Sequence, residues 1–415
     1  MSFVGFYGEW FLSACGSKVV AIHTKEHRKP FVFDCSSAEK RPKGVNVVNS
    51  SDGDASEDTG SDKVLSFAVS ASGKLMALTD DNKRLVLFQS EPLWHCISIR
   101  WVTRRCTSMV FSQAEDELLV ADKSGDVYSF SVLEPQREGE LKMGHLSMLL
   151  AVTISIDDQY IITADRDEKI RVSHHRSPYN IQSYCLGHQQ FVSALQIPSG
   201  HPQWLLSGSG DGTLKLWEFE SGRRLQSLDL RQLEDTLSTD PVKGLNRAVF
   251  CVRSSPTGRD VAVLCEGVMK VYMFTLDQNG IEKLVPHSKL QLSHHPMDTD
   301  FDIEGRLWVL SDSTVAPLQV FSLAQNSWES ETVNDNLSRV TDILKTEWST
   351  TDSFQRITNR FEYLYKVGFD NVNNYLQKKQ QRIIEHQLKR TMSQKAKCNK
   401  RPKEESDEVL IKPSV

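Results

Sequence analysis

Gly208-Ser209-Gly210-Asp211-Gly212 repeats the alternating glycines of loops that cradle a nucleotide or S-adenosylmethionine. Such a loop must run from a strand into a helix, whose amino terminus and backbone N–H groups receive the ligand. Here Thr213-Leu214-Lys215-Leu216-Trp217 follows, a strand with alternating character, so a tight turn between two strands is expected instead. The pairs His174-His175 and His294-His295 lack further ligands at metal-binding spacing. No P-loop, H-E-x-x-H or G-x-S-x-G is present, and the carboxylates form no acid–base constellation. These residues predict a chain with no catalytic site, metal or small-molecule substrate of its own.

Two charged segments carry more information. Asp165-Arg166-Asp167-Glu168-Lys169-Ile170-Arg171 interleaves both signs. Ile170 and Val172 alternate with Lys169 and Arg171, which puts that charged pair on the face away from the core. The segment reads either as a solvated turn or as a surface for electrostatic pairing with a partner protein. The second segment, Lys378 to Lys403, holds ten basic residues and one acid, Glu385. The chain's net charge is −5, so everything outside this segment carries −14. The basic residues could contact nucleic-acid phosphates, form a solvated face, or serve as a nuclear address around Lys395 to Lys403.

What positions these segments is a repeat. Leu186 to Phe219 opens with Gly187-His188 and closes on the glycine turn and Trp217-Glu218, resembling a WD40 repeat. The preceding unit has Gly144-His145 and then Thr163-Ala164-Asp165-Arg166-Asp167. Aligning Asp167 with Asp211 gives histidine-to-aspartate separations of 22 and 23 residues. In such a unit a histidine, a hydroxyl, an aspartate and a tryptophan indole satisfy one another in the core. The predicted networks are His188, Ser207, Asp211 and Trp217 in one unit, and His145, Thr163 and Asp167 in the other. His174 stands where the second network needs its tryptophan. Weaker units share a closing strand that ends in an aromatic. The series Phe33, Phe88, Phe130, His174, Trp217, Phe274 and Phe321 steps by 55, 42, 44, 43, 57 and 47 residues. The two long steps contain an acidic loop at about 50–62 and a polar insertion at about 228–245. Seven blades of short alternating strands follow, closed into an all-β propeller over residues 1–345.

Beyond the last blade the period becomes helical. Phe369, Val372, Leu376, Ile383, Ile384 and Leu388 predict a basic helix within a C-terminal extension, 346–390, followed by a disordered tail, 391–415. Across the 415 residues, 39% are hydrophobic and 25% charged, enough to bury a large core. There is no apolar run of membrane-spanning length, and the start, with Glu9 and no basic flank, does not read as a secretory signal. Eight scattered cysteines without C-x-x-C read as free thiols.

Four phrases are more specific than the repeat. They are Gly144-His145-Leu146-Ser147-Met148-Leu149-Leu150, Ala164 to Val172, Val120-Ala121-Asp122-Lys123-Ser124-Gly125-Asp126-Val127, and Phe369-Asp370-Asn371-Val372. Together they resemble the WD-repeat non-catalytic subunit of the tRNA (guanine-N7)-methyltransferase over nearly the whole chain. That resemblance implies a heterodimer with a catalytic methyltransferase subunit, which would carry the S-adenosylmethionine site and methylate N7 of a variable-loop guanine in tRNA. It implies a partner contact at Asp165, Arg166, Glu168, Lys169 and Arg171. It makes Lys378, Lys379, Arg382, Lys389 and Arg390 candidate tRNA contacts, and the basic run from Lys395 to Lys403 makes a nuclear location the expectation. The rival reading is an adaptor that recruits substrates to a ubiquitin ligase. The Trp-Asp-x-Arg ending often found in such adaptors is replaced here by Trp217-Glu218-Phe219-Glu220.

Overall fold

Strands of four to nine residues, rich in Val, Ile, Leu and aromatics and broken by Gly, Asp and Ser turns, give seven four-stranded antiparallel sheets. The computed structural model describes residues 2–41, 60–233, 247–331, 335–348, 360–366, 379, 380 and 382. The blades span 2–34, 64–101, 106–144, 149–185, 192–229, 249–291 and 296–330. Each blade is made from four consecutive strands. The first strand of each contacts the first strands of its neighbours, so these seven line the axis of the ring. Because the strands meander, turns between second and third strands lie on one face of the ring. Turns between first and second, and between third and fourth, lie on the other. The chain divides into two compact units, Met1–Tyr365 and Lys366–Val415.

The phase of blade 1 differs from the sequence reading. Phe33 lies in the fourth, outer strand, Phe31–Asp34, whereas the third strand is Lys18–His23. The tight Gly16-Ser17 turn joins second and third strands without any histidine or tryptophan to mark the position. The polar insertion also starts later than expected, since Arg223–Asp229 is the outer strand of blade 5. Most of the acidic loop lies outside the described residues. Its final residue, Asp62, pairs with the buried guanidinium of Arg84, which also donates from Nε to Asp80 at 2.6 Å.

Closing the ring requires joining blade 1 to blade 7 without a shared strand. The backbone N–H groups of Val4 and Phe6 donate to Asp298 Oδ2 and Asp300 Oδ2, each at 3.0 Å. Burial pushes the Asp300 carboxyl up to about 6. Phe6 and Phe11 pack on Trp308 with ring centroids 5.2 and 5.7 Å apart. Over this seam lies a helix, α1 (Asp335–Trp348), whose Leu337, Val340, Leu344 and Trp348 are buried with Val20, Ile22, Leu310 and Leu318. Arg339 donates to the carbonyls of His23, Thr24 and Glu26 at 2.6–2.8 Å, and Lys18 Nζ reaches the carbonyl of Glu347 at 3.2 Å. The helix therefore crosses the boundary drawn from sequence at residue 345 and belongs to the propeller unit. Of the basic helix predicted from Phe369, only Lys379, Gln380 and Arg382 are described, and they are helical and exposed. The tail from 391 lies outside the described residues.

An ion cluster joins blades 3 and 4 on the face opposite the second-to-third turns. His175 donates from Nε2 to Glu117 at 2.6 Å and from Nδ1 to the Asp158 carbonyl at 2.9 Å, so both ring nitrogens face acceptors. Lys142 Nζ stands 2.9 Å from the same glutamate. Burial opposes ionisation of Glu117, but hydrogen bonds from His175, Ser129 and Lys142 outweigh it and hold the carboxyl at about 2. The bond to Glu117 raises the His175 pKa against the opposing effect of burial. The histidine's contribution is complete below about pH 6.5 and lost as pH rises through its folded value. The glutamate's is complete above about pH 4.5 and lost as pH falls toward 2. Charge-assisted hydrogen bonds of this kind contribute about 1.5–3 kcal/mol. The melting-temperature gap between the wild type and His175→Gln is thus expected to be widest between about pH 5 and 6.5 and to narrow as pH rises through the raised value of His175. A gap independent of pH would show that His175 is neutral in the fold.

Candidate functional site

Blade 5 joins its four network residues in sequence. Trp217 Nε1 donates to Ser207 Oγ at 2.8 Å, Ser207 Oγ lies 2.7 Å from His188 Nε2, and His188 Nδ1 lies 3.0 Å from Asp211 Oδ2. Burial lowers the His188 pKa. A neutral imidazole with its proton on Nδ1 satisfies every group, because Ser207 then accepts from the indole and donates to Nε2. The glycine run is the turn between the strands Trp204–Ser209 and Thr213–Glu218, with Gly212 at φ +75°. The run passes from strand to strand and not into a helix. A Cβ on Gly210 would stand 2.4 Å from the Phe191 ring, which explains that glycine by packing.

Blade 4 departs from the predicted network in two ways. The histidine's acid is Asp165, not Asp167: His145 Nδ1 lies 3.4 Å from Asp165 Oδ2, and its Nε2 lies 2.8 Å from Thr163 Oγ1. The strand register shows that Ser173, not His174, takes the tryptophan's place. Ser173 pairs with Ile161 as Trp217 pairs with Leu205. Ser173 is fully buried and its Oγ has no hydrogen-bond partner among the described residues. His174 instead stands with its ring centroid 5.2 Å from that of Tyr160.

The charged turn sorts by these contacts. Asp165 is buried and also accepts from the Lys169 backbone N–H at 3.1 Å, which fixes the turn from inside. Its carboxyl is therefore not on the surface where the resemblance placed it. Glu168 adopts φ +70°, the left-handed conformation that turns the chain back. Arg166 Nε and one terminal nitrogen donate to the carbonyls of Leu364 and Tyr363 at 3.1 and 3.3 Å. Arg171 is half-buried rather than pointing freely outward, and it donates to the Gly144 carbonyl at 3.1 Å. Burial lowers its pKa, with Tyr184 opposing. Lys169 is exposed, while Asp167 and Glu168 are half-exposed beside it.

One part of this surface was not read from sequence. Residues 360–365 lie against the turns of blades 4 to 6. Leu364 is buried with Phe191 and Ala248, and Met148, Leu150, Phe361 and Tyr365 pack around them. The apolar run Phe361-Glu362-Tyr363-Leu364-Tyr365 was the available signal. Of the basic candidates, Lys379 and Arg382 are exposed, while Lys378, Lys389 and Arg390 lie outside the described residues. Among the described residues no group of His, Cys, Asp or Glu is arranged to hold a metal ion, and no helix is long and apolar enough to cross a membrane. His294 and His295 stay at the entry to blade 7, where the His295 backbone N–H donates to Asp312 at 3.1 Å.

The family described as "tRNA methyltransferase TRM82 WD40 domain" matches residues 22–140 and 131–333. The chain is 52% identical over 412 residues to a Danio rerio protein named tRNA (guanine-N(7)-)-methyltransferase non-catalytic subunit wdr4, covering 99% of both. It is 42% identical to the Homo sapiens protein of the corresponding name over 373 residues, covering 89% of this chain and 88% of that one. Among solved structures, the RRP9 WD40 repeats align with a TM-score of 0.58 at 18% identity, covering 74% of this chain and 84% of that one, a likeness of fold alone.

Proposed function

The chain belongs to the family of WD-repeat non-catalytic subunits of the tRNA (guanine-N7)-methyltransferase, and from that premise we propose that it binds the catalytic subunit and helps to position tRNA for methylation at N7 of a variable-loop guanine. The S-adenosylmethionine site and the chemistry belong to the partner. This chain's part is to hold that partner in a competent conformation. The supporting observation is the blade 4 turn. Asp165 ties it to His145 and to the Lys169 backbone, so the charges of Glu168 and Lys169 are presented from a rigid base. Rigid presentation lets a partner bind without ordering a loop first. The basic extension supplies sequence-independent attraction for tRNA phosphates through Lys378, Lys379, Arg382, Lys389 and Arg390. Its distal run, Lys395 to Lys403, suits a nuclear address.

Methyl transfer from labelled S-adenosylmethionine to tRNA tests this directly. The catalytic subunit is assayed alone, with this chain, and against this chain alone. The expected result is a rate at least about tenfold higher with both proteins, a barrier difference of about 1.4 kcal/mol, and none from this chain by itself. Equal rates with and without this chain would remove the scaffold role.

A further inference from the structure

We infer that Leu146, Tyr184 and Leu186 are apolar anchors by which this chain binds the catalytic subunit, with the charged turn of blade 4 at their rim. The inference rests on the proposed function and deepens it, because that reading gives the partner only charges to hold. Outer strands of a propeller are sheet edges, which proteins commonly guard with charge. Six of the seven here carry at least one charged side chain. The outer strand of blade 4, Ser177–Cys185, is longer than any of them at nine residues and carries none. Its two faces follow from register. Ile170 pairs with Cys185 and Val172 with Ser183, and this face is covered by blade 5, where Ser183 Oγ donates to the Phe219 carbonyl. Arg171 pairs with Tyr184 on the other face, and the same register continued sets Lys169 opposite Leu186. The connection from blade 3 passes this turn as well. The Gly144 carbonyl accepts from Arg171 at 3.1 Å and the Met148 carbonyl from the Arg166 N–H at 2.9 Å, with Leu146 between them. Leu146 is fully exposed, Leu186 is 62% exposed and Tyr184 41%. Blade 5, over 192–229, exposes no large apolar side chain at all.

Single exposed apolar residues are ordinary, but three grouped around one charged turn have the anatomy of an interface. Apolar anchors carry most of the affinity, while charges at the rim steer approach and fix register. The occupant is the catalytic subunit, because the group is continuous with the turn assigned to it. That protein presents an apolar patch here, flanked by groups complementary to Glu168 and Lys169. Tyr184 also supports the charge of Arg171, so the test leaves it in place.

The test measures the heterodimer Kd by titration calorimetry, with the full chain and the catalytic subunit. The variants are Leu146→Ser, Leu186→Ser and the two combined. Ile281→Ser is the control, an equally exposed apolar residue between the third and fourth strands of blade 6. The expected result is a Kd raised about fivefold by each single change and about twenty-five-fold by the pair. The control leaves Kd unchanged, and no variant shifts the melting temperature of the isolated chain. The loss persists at high salt, and the heat-capacity change of association becomes less negative, which marks lost apolar burial rather than lost charge. An unchanged Kd in the double variant overturns the anchors. If Lys169→Glu still weakens binding in that case, the proposed function stands without them. An isolated chain that is a dimer, and that Leu186→Ser separates, makes a second copy the occupant and also overturns the inference. Failure of the proposed function reads differently, as methyl transfer that does not need this chain.

Discussion

Val340→Asp is expected to unfasten the propeller, lowering its melting temperature by roughly 10 °C or more. Seven consecutive four-stranded blades leave the ring with two free ends, because no strand of one terminus completes a blade of the other. Two backbone-to-carboxylate bonds, from Val4 and Phe6, span the join directly. Lys25 Nζ adds an exposed ion pair to Glu304 Oε1 at 2.9 Å, and otherwise the described contacts are largely apolar, with α1 as their outer wall. Val340 is fully buried between Leu337 and Leu344 on that wall. A carboxylate there has no partner, and burying an unpaired charge is among the few single changes that cost more than about 4 kcal/mol. At the roughly 2–4 °C per kcal/mol typical of large domains, that gives the stated shift. Thermal melting followed by circular dichroism measures it, with Asp342→Ala on the exposed side of α1 as a control expected to change little. If Val340→Asp melted within 2 °C of the wild type, α1 would be an appendage and the direct contacts between blades 1 and 7 would hold the seam without it.

The helix that does this work was open to reading. Leu337, Val340, Leu344 and Trp348 recur at three, four and four residues, which is helical spacing, yet the longer pattern starting at Phe369 attracted the assignment. Blade number was legible because the third strands of six blades share one register position, filled by Phe88, Phe130, Trp217, Phe274 and Phe321 and, in blade 4, by Ser173 beside the histidine that stood for it. Blade 1 has no such landmark, so its phase slipped by one strand. The mistaken acid of blade 4 has a physical cause too. By register Asp167 corresponds to Asp211, as the alignment assumed, but Asp165 ends its strand on the side facing His145 and reaches the imidazole first. Spacing fixes the position of a carboxylate along the chain and leaves its direction open. A clue existed in the other blades. Asp80 and Asp122 end the second strands of blades 2 and 3 in the same way, and both are buried acceptors for the turn that follows. The docking of 360–365 was the least legible feature, because it depends on three blades meeting one short segment.

That sorting of the charged turn selects the variant that should weaken the heterodimer most with least harm to the fold. Arg171 and Asp165 are unsuitable, since each is built into blade 4, and Arg166 holds residues 363 and 364. Lys169→Glu changes an exposed side chain and leaves intact the backbone bonds by which Asp165 and Lys169 close the turn. If the partner meets this turn with complementary charge, reversing the sign replaces attraction by like-charge contact, at a cost of about 2–4 kcal/mol. The heterodimer Kd is then expected to rise roughly 30- to 1000-fold, with the melting temperature of the isolated chain falling only slightly, because the Lys169 charge also favours the ionised Asp165 carboxyl. Titration calorimetry or surface binding at two salt concentrations reads this, and the difference between variant and wild type should shrink at higher salt as the Debye length shortens. Arg176→Glu is the matched control. It is also exposed and also reverses a cation, but it sits on the turn between the third and fourth strands of blade 4, on the opposite face of the ring. Equal weakening by both variants would mean that net charge, not this turn, governs association. An unchanged Kd for Lys169→Glu would take the partner contact off this turn of blade 4.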